Sequence, residues 1–167
     1  RIFKNVKSEV IEGSEANTKV INIEVEEKPT GEITIGAGVG SEGGSMGFGV
    51  TENNFLGKGV KLSTSLRVTD DSIRGAFNIN NPNFNYSNKS LSTTVESTQI
   101  DKLSDNGYET TKTGFSFGTG FEQYENTYFR PSISTYFEDL TTNSKASDNL
   151  KKQSGNYFDT KFSYNLD

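Results

Sequence analysis

The sequence contains no cysteine, no histidine and no tryptophan among its 167 residues. Without cysteine there can be neither a disulfide framework nor a thiolate metal site, and the redox compartment stays open. Without histidine as well, a zinc enzyme, a Ser-His-Asp hydrolase and a Cys-His protease are excluded. We therefore expect a protein that is not an enzyme, with no catalytic residue, no metal site and no cofactor.

The chain also lacks an excess of positive charge and a long hydrophobic run. Its 17 Lys and Arg against 22 Asp and Glu give a net charge of -5, which argues against a nucleic-acid partner held by electrostatics. No stretch of about 18 consecutive apolar residues, the length of a membrane-spanning helix, occurs. Hydrophobic residues make up 31% of the chain and the mean hydropathy is -0.65, values that by themselves suggest a loosely packed polar protein. However, the apolar residues are spaced regularly along the chain, and this spacing indicates an ordered structure.

Residues 1–28 have the pattern of a β-hairpin. The segment Val20–Glu26 has apolar side chains at every second position, and the segment Phe3–Val10 alternates in the same way. The polar stretch Glu12–Asn17 separates them as a turn. Because two strands are not stable alone in water, we expect residues 1–28 to belong to a larger domain, with residues 29–31 as a linker after it. The chain begins with Arg1 and no signal peptide is visible, so we expect it to be part of a longer protein.

From residue 32 onward, apolar and polar residues alternate through eight segments. The apolar positions carry no charged residue, and the positions between them hold no Ile, Leu, Val, Phe or Met. A period of two residues is typical of strands, and no segment with helical periodicity competes with it. We predict eight antiparallel strands, with these apolar phases at every second position: 33–39, 46–50, 60–68, 73–79, 91–97, 113–121, 129–137 and 158–166.

Either a soluble sandwich or a transmembrane barrel can produce two such faces. Three features favour the barrel: strands of about 9–12 residues, which suit a tilted crossing of a bilayer, a polar face of Gly, Ser, Thr and Asn, and aromatic residues at strand ends. These aromatic residues are Phe55, Phe84, Tyr86, Tyr124, Tyr128 and Tyr157. The fold class that we predict is therefore all-β, an antiparallel transmembrane β-barrel. The residues that we predict to face lipid are Val60, Leu62, Leu66, Phe77, Phe115, Phe117, Ile133, Phe137 and Phe162.

The links between the strands fall into two sets. We expect one set to be extracellular: Ser41–Gly44, Thr69–Ser72, Lys102–Gly107 and Leu140–Asn156, the last of them a polar surface loop. The opposite set is Glu52–Gly59, Asn80–Tyr86 and Glu122–Asn126. If the N-terminal hairpin is periplasmic, the first barrel strand runs outward and this opposite set is periplasmic too.

Glycine is concentrated on the inward phase of the first two barrel strands, at Gly36, Gly38, Gly40, Gly47 and Gly49. Residues 38–43 match the letters G-x-G-x-x-G, but a strand follows them where a dinucleotide site needs a helix. Two explanations remain open. The glycines can permit sharp curvature or close packing, or they can weaken the pairing of the first strand so that its edge accepts a strand from another chain.

Charged residues on the inward phase have a positive balance. The interpretation that we favour is a solvated wall with local ion pairs, and the alternative is an anion-selective filter. The residues concerned are Lys61, Arg67, Arg74, Arg130 and Lys161 against Glu96 and Asp159.

Four segments together resemble a known family. They are Val20–Glu27, Pro29–Gly40, Asn53–Gly59 with the letters N-N-F-L-G-K-G, and Asn81–Phe84 with the letters N-P-N-F. These segments are similar to the BamA family of bacterial outer-membrane β-barrel assembly factors. The N-N-F-L-G-K-G turn is the most specific of them. Motifs carry the resemblance over residues 1–86, and the alternating pattern alone carries it over residues 87–167.

The resemblance implies a specific architecture and mechanism. Residues 1–28 would be the last strands of a periplasmic POTRA domain, and residues 32–167 the N-terminal half of a barrel with about sixteen strands. In this family the first barrel strand forms an unstable seam with the last one, and the seam opens toward lipid so that an incoming protein can pair its terminal strand with that edge. The edge would consist of Ile33, Thr34, Ile35, Gly36, Ala37, Gly38, Val39 and Gly40.

The implied location is the bacterial outer membrane, with the N-terminal segment in the periplasm. The implied partners are unfolded outer-membrane proteins, the lipoproteins of the assembly machinery and outer-membrane lipid, with no nucleic acid. The family's Arg-Gly-Phe motif and the partner strand of the seam are absent from this sequence, so these residues alone would not insert a substrate.

Two other functions remain open. One is a secretion pore of the same superfamily, and the other is a small eight-stranded barrel with a structural or adhesive role. The small barrel leaves the hairpin of residues 1–28 unexplained. The number of POTRA domains before Arg1 would separate the pore from the assembly factor.

We predict that the two faces of the strands tolerate charge differently. A Lys or Asp in place of Phe115 or Ile133 should lower the free energy of unfolding in a membrane by about 2–4 kcal/mol, because an ion would then face hydrocarbon. The same changes at Ser116 or Ser134 should be mild. Unfolding in lipid vesicles measures both effects, and equal tolerance of the two phases would contradict the assignment of a lipid-facing side.

Overall fold

The computed structural model describes residues 3–15, 17–40 and 43–167. Its strands are β1 (Phe3–Glu12), β2 (Lys19–Glu27), β3 (Gly31–Gly40), β4 (Gly43–Phe55), β5 (Val60–Thr69), β6 (Ser72–Asn81), β7 (Ser90–Lys102), β8 (Tyr108–Tyr124), β9 (Thr127–Thr142) and β10 (Gly155–Leu166). A short helix, α1 (Asp148–Lys152), and a 3₁₀ turn, Phe84–Tyr86, complete the elements. Arg1 and Ile2 of the predicted N-terminal unit, Ala16 of its turn, and Ser41 and Glu42 of the first predicted extracellular link lie outside the described residues.

Strands β1 and β2 form a two-stranded antiparallel sheet. Val6 pairs with Val25 and Val10 with Ile21, so the apolar residues of the two strands share one face. The turn is closed by the Gly13 amide, which donates to the Thr18 carbonyl at 2.9 Å. Val10 is 62% exposed, so the hairpin leaves its apolar face bare.

Strands β3 to β10 form one eight-stranded sheet in which each strand pairs with its neighbours in sequence. Every pair is antiparallel, as short links between consecutive strands require. Strands β3 and β10 are the two edges and are not paired with each other. The predicted eight antiparallel strands are confirmed, and in the described residues they form an open sheet.

The register of the sheet brings the predicted apolar phases together on one face. In one transverse row Thr93 lies opposite Phe117, Phe117 opposite Ile133, and Ile133 opposite Phe162. Comparable rows join the other strands, for example Ile33, Val50 and Thr64 across β3, β4 and β5. We call this the outer face and the opposite one the inner face. The alternation in the sequence therefore corresponds to two continuous faces across all eight strands.

No second layer covers the outer face. The buried hydrophobic side chains of the described residues are Leu140 and Ala146, and no large side chain is fully buried. Ile35 is 77% exposed and Phe162 is 79% exposed. A soluble sandwich buries its apolar face against another sheet. The described part of this chain has no such sheet, which favours the barrel over the sandwich.

Strand lengths exceed the prediction at several places. Strands β8 and β9 have 17 and 16 residues, where the alternating pattern predicts about 9–12. Their extensions beyond the apolar band, such as Tyr108–Lys112, are polar on both faces. Such a segment has no alternation of apolar and polar residues that would mark it as a strand in the sequence. It is a strand because its backbone pairs with the neighbouring strand.

The link Leu140–Asn156 is more ordered than a solvated loop. It contains α1, whose N-cap Ser147 accepts a hydrogen bond from the Leu150 amide at 3.4 Å. Asn143 and Lys145 also donate side-chain hydrogen bonds to the carbonyls of Leu103 and Ser104, at 2.9 and 2.6 Å. The expected polar loop is thus packed onto the preceding link. A helix of five residues is too short to give a periodic signal in the sequence.

Tyr136 and Gly114 form a cross-strand pair that can be tested. A Cβ at Gly114 would lie 2.5 Å from the Tyr136 ring, whereas a Cβ at Gly75 would meet no atom within 4 Å. We expect Gly114→Ala to lower the free energy of unfolding by about 1–3 kcal/mol, because the ring must move. Gly75→Ala, the matched control, should be neutral or stabilising by up to about 1 kcal/mol.

Chemical unfolding of both variants in lipid vesicles measures the difference. Equal stability of the two variants would show that the Tyr136 ring does not require a glycine beside it.

Candidate functional site

Strand β3 has a paired edge and an open edge. It pairs with β4 from Gly31 opposite Glu52 to Gly40 opposite Gly43. No strand of the described residues pairs with its other edge. Because ladder hydrogen bonds alternate between the two sides of a strand, about half of the backbone N–H and C=O groups of β3 point to the open side.

The two faces of β3 differ sharply in side-chain size. Ile33, Ile35 and Val39 lie on the outer face and are 67%, 77% and 91% exposed. Apart from Thr34, the inner face from residue 34 onward consists of glycine, and Gly36 lies directly opposite Gly47 of β4. The middle of the β3–β4 hairpin therefore has almost no side-chain contacts on its inner side.

Close packing does not account for these glycines. A Cβ at Gly36 or Gly40 would meet no atom within 4 Å, and one at Gly38 would meet only the Ser45 hydroxyl at 3.6 Å. None of the three has a positive φ. Of the explanations offered by the sequence, curvature and weak pairing remain, and both make this hairpin easier to deform than its neighbours.

A cluster of hydrogen bonds ties Thr30, the residue before β3, to the end of β4. The Thr30 hydroxyl and the Asn54 amide both donate to the Glu52 carboxylate, the second at 2.7 Å. The backbone and side-chain N–H groups of Asn53 donate to the Thr30 carbonyl at 3.1 and 3.0 Å. We call Thr30, Glu52, Asn53 and Asn54 the entry clamp.

The specific turn of the sequence completes this cluster. Leu56, Gly57 and Gly59 all have positive φ, between 56° and 69°. Glycine relieves the strain at two of these three positions, and the Asn54 side chain accepts a hydrogen bond from the Gly59 amide at 2.7 Å. The letters N-N-F-L-G-K-G thus encode a turn that presents Asn53 and Asn54 to the clamp.

The other end of the hairpin is held through β4. The Asp70 carboxylate accepts a hydrogen bond from the Gly44 amide at 3.1 Å. No side-chain hydrogen bond of the described residues holds the last residues of β3 in this way, beyond a long contact of 3.5 Å from the Ser45 hydroxyl to the Gly38 carbonyl. The edge strand is therefore fastened at its start and depends mainly on its ladder toward its end.

Charged residues on the inner face form local pairs. Arg74 contacts Glu96 at 2.9 Å and Lys112 contacts Glu138 at 3.2 Å, and Arg130 pairs with Asp167. Arg67 lies beside Arg74 in the ladder and has no ion pair among the described residues. Lys61, Lys161 and Asp159 have no ion pair among the described residues either, so the local pairs neutralise only part of the inner face and both interpretations of its charge stay open.

Sequence reasoning missed Lys112 and Glu138. They lie in the extensions of β8 and β9, where both faces are polar. The opposite charges could be matched only after the register was known, because Lys112 faces Glu138 across the ladder.

All nine residues that the sequence predicts to face lipid lie on the outer face. The cross-strand neighbours that place them there are Val60 with Phe55, Leu62 with Ile79, Leu66 with Phe48, Phe77 with Val95, Phe115 with Thr135, Phe117 with Ile133, and Phe137 with Phe158, while Phe162 lies opposite Ile133. That this face contacts lipid remains a prediction.

Neither a metal cluster nor a membrane-spanning helix is found. Among the described residues, no three His, Cys, Asp or Glu side chains come together in a way that could hold a metal ion. Within the same residues, no helix has the length and apolar character needed to cross a bilayer.

We predict that the entry clamp limits opening at the start of β3. Glu52→Ala removes the acceptor of two hydrogen bonds, so the Asn54 amide should exchange with solvent several times faster than in the unchanged protein. Glu32→Ala is the matched control, because it removes a neighbouring carboxylate that has no hydrogen bond or ion pair in the described structure. Hydrogen exchange resolved by residue measures both, and equal rates in the two variants would show that the clamp does not hold this end.

Comparisons with known proteins agree with this geometry. Residues 54–167 match the model of the Omp85 superfamily domain. No curated protein matches the chain. Among solved structures, the crystal structure of BamA from Haemophilus ducreyi lacking POTRA domains 1–3 superposes with a TM-score of 0.74 and 23% sequence identity. The match covers 99% of this chain and 34% of that one, so this chain spans about a third of its length.

The solved structure confirms the expected resemblance at the level of the fold. The superfamily match covers more than half of the chain, from the end of β4 through β10. Outer-membrane β-barrels are the architecture of this superfamily, and an antiparallel sheet with one bare apolar face fits it. The chain belongs to the Omp85 superfamily.

Proposed function

We propose that this chain takes part in the assembly and insertion of β-barrel proteins into the bacterial outer membrane. In this proposal, Ile33–Gly40 of β3 is the edge that receives a strand of the incoming protein. The observation that carries the proposal is the β3–β4 hairpin, whose inner side consists mostly of glycines that close packing does not explain. The fold similarity to BamA supports it as well.

Strand addition explains how such an edge would act without covalent chemistry. In hydrocarbon, each unpaired backbone N–H or C=O group costs several kcal/mol, so an incoming strand is stabilised as soon as its groups pair with β3. The alternation of β3 suits an incoming barrel strand, because Ile33 and Ile35 would lie beside its apolar side chains and Gly36 beside its polar ones. The process needs no catalytic residue, metal or cofactor.

The orientation of the sheet follows from its connections. Strand β3 begins directly after the linker that follows the β1–β2 hairpin. We place this hairpin in the periplasm as part of a POTRA domain and the long link between β9 and β10 outside the cell. The outer face then contacts outer-membrane lipid. The proposed partners are unfolded outer-membrane proteins and the lipoproteins of the assembly machinery, with no nucleic acid.

Two alternative functions are consistent with the same fold. A secretion pore of the same superfamily would use the polar inner face as the wall of its channel. A small structural or adhesive barrel would need β3 and β10 to pair, and they are not paired in the described residues. The glycine-rich inner side of the β3–β4 hairpin supports the assembly function more directly than the pore, because the wall of a channel does not need a hairpin that deforms easily.

Single cysteines can distinguish assembly from secretion, because the chain has no cysteine of its own. With Gly38→Cys at the edge, we expect a disulfide, formed with an added thiol oxidant, to a single cysteine placed in the terminal strand of a stalled barrel substrate, since the two strands would be neighbours. Ser65→Cys on the inner face is the matched control and should not crosslink. Gel mobility under non-reducing conditions is the measurement.

The opposite pattern would contradict the proposal. Crosslinks at Ser65→Cys without crosslinks at Gly38→Cys would show that the polypeptide passes along the inner face, as in a secretion pore. Crosslinks at neither position would show that substrate does not contact this part of the chain.

A further inference from the structure

The outer face carries a groove that no step of the proposed function uses. It lies between β8, β9 and β10 and has a volume of about 360 Å³. Its walls include Phe117, Phe129, Pro131, Ile133, Phe162 and Tyr164. This volume lies within the usual range of ligand sites, and the lining is almost entirely apolar.

Pro131 explains why a groove forms in this part of the sheet. Proline has no N–H group and is rarely found inside a sheet, yet Pro131 lies in β9 between two paired strands. The pairing of β8 with β9 is interrupted there: it stops at Gly118 opposite Ser132 and resumes at Phe121 opposite Phe129. On the outer face this gap carries Thr119 and Pro131. Both are smaller than Phe117 and Phe129 in the neighbouring rows, and the difference in size leaves a depression.

One end of the groove is an aromatic cluster. The rings of Phe121 and Phe129 are 5.8 Å apart and nearly perpendicular, and the ring of Tyr164 is 6.2 Å from that of Phe129. This cluster lies at the end of the sheet where β3 begins, close to the β8–β9 turn. Aromatic residues at such a position lie at the depth of lipid headgroups.

The side chain of Lys89 lies beside this cluster. The Lys89 ammonium is 5.8 Å from the centre of the Phe121 ring. Lys89 is exposed and has no ion pair in the described structure. Of the acidic residues nearby, Glu122 lies on the inner phase and accepts a hydrogen bond from the Asn126 amide at 2.8 Å. Lys89 is therefore available to an anion outside the chain.

We propose that this groove binds a glycerophospholipid with an anionic headgroup. An acyl chain would fill the apolar depression beside Pro131, and the phosphate would lie near Lys89 at the level of the aromatic cluster. The inference rests on the lipid-facing assignment of the outer face, but not on the assembly of substrates. The occupant is an acyl lipid because the groove continues the face that contacts the bilayer, and its charge follows from the unpaired ammonium.

The absence of tryptophan makes a direct test possible. Phe117→Trp places a fluorophore in the groove, and Phe48→Trp places one on the same face four strands away. Each variant is folded into phosphatidylcholine vesicles that contain either dibrominated phosphatidylglycerol or dibrominated phosphatidylcholine, whose bromine atoms quench nearby tryptophan. The ratio of the two quenching efficiencies gives the preference for the anionic lipid at each position.

At Phe117→Trp we expect a preference of about fivefold for phosphatidylglycerol, the effect of one lysine beside an anionic lipid. Adding Lys89→Gln should abolish this preference, and adding Lys89→Arg should retain it. At Phe48→Trp the two lipids should quench equally, with or without the Lys89 changes. This control position also shows that each variant is folded into the bilayer.

Two results would overturn the site. They are equal quenching by both lipids at Phe117→Trp and a preference that survives Lys89→Gln. Absence of quenching at both positions would instead overturn the lipid-facing assignment itself. None of these measurements depends on a substrate protein. The proposed assembly function and the proposed lipid site can therefore each be contradicted independently of the other.

Discussion

Backbone hydrogen bonding in an apolar medium is the constraint on which the rest of this structure depends. A strand that crosses hydrocarbon must find a partner for every N–H and C=O group, because water is not available to supply one. In the described sheet, β4 to β9 each pair with two neighbours, and the ladder between β8 and β9 is interrupted at Pro131 and the residue beside it. Because the strands find their partners in the strands next to them along the chain, the order of the sheet follows the order of the sequence.

The two faces of the sheet follow from the same constraint. Side chains must alternate across a strand, so a continuous outer face of Phe, Ile, Leu and Val requires a continuous inner face of other residues. Here the inner face is made of small and hydroxyl-bearing residues and of ion pairs such as Arg74 with Glu96. The almost complete lack of buried hydrophobic side chains reflects a sheet whose apolar partner lies outside the chain.

The β3–β4 hairpin differs from the other hairpins of the eight-stranded sheet in its side chains and in how its two ends are held. Its inner side is glycine, its start is tied by Thr30 and Glu52, and its far end is held through Asp70 and β4. Strand β3 is thus positioned at one end while its remaining length relies on a ladder between small residues. A strand that is fixed at one end and carries glycines along its body can bend there without losing its position at the start of the sheet.

The sequence by itself determined the strands, their number and the side of each residue, because a period of two leaves little freedom once charges are confined to one phase. It also marked the turn at Asn53–Gly59, through the letters N-N-F-L-G-K-G. It did not reveal the Thr30–Glu52 contact, the Lys112–Glu138 pair, the helix Asp148–Lys152 or the groove at Pro131. The helix is local, but five residues are too few to give a periodic signal in the sequence. The other three depend on which residues the register places side by side, and only the tertiary structure decides that.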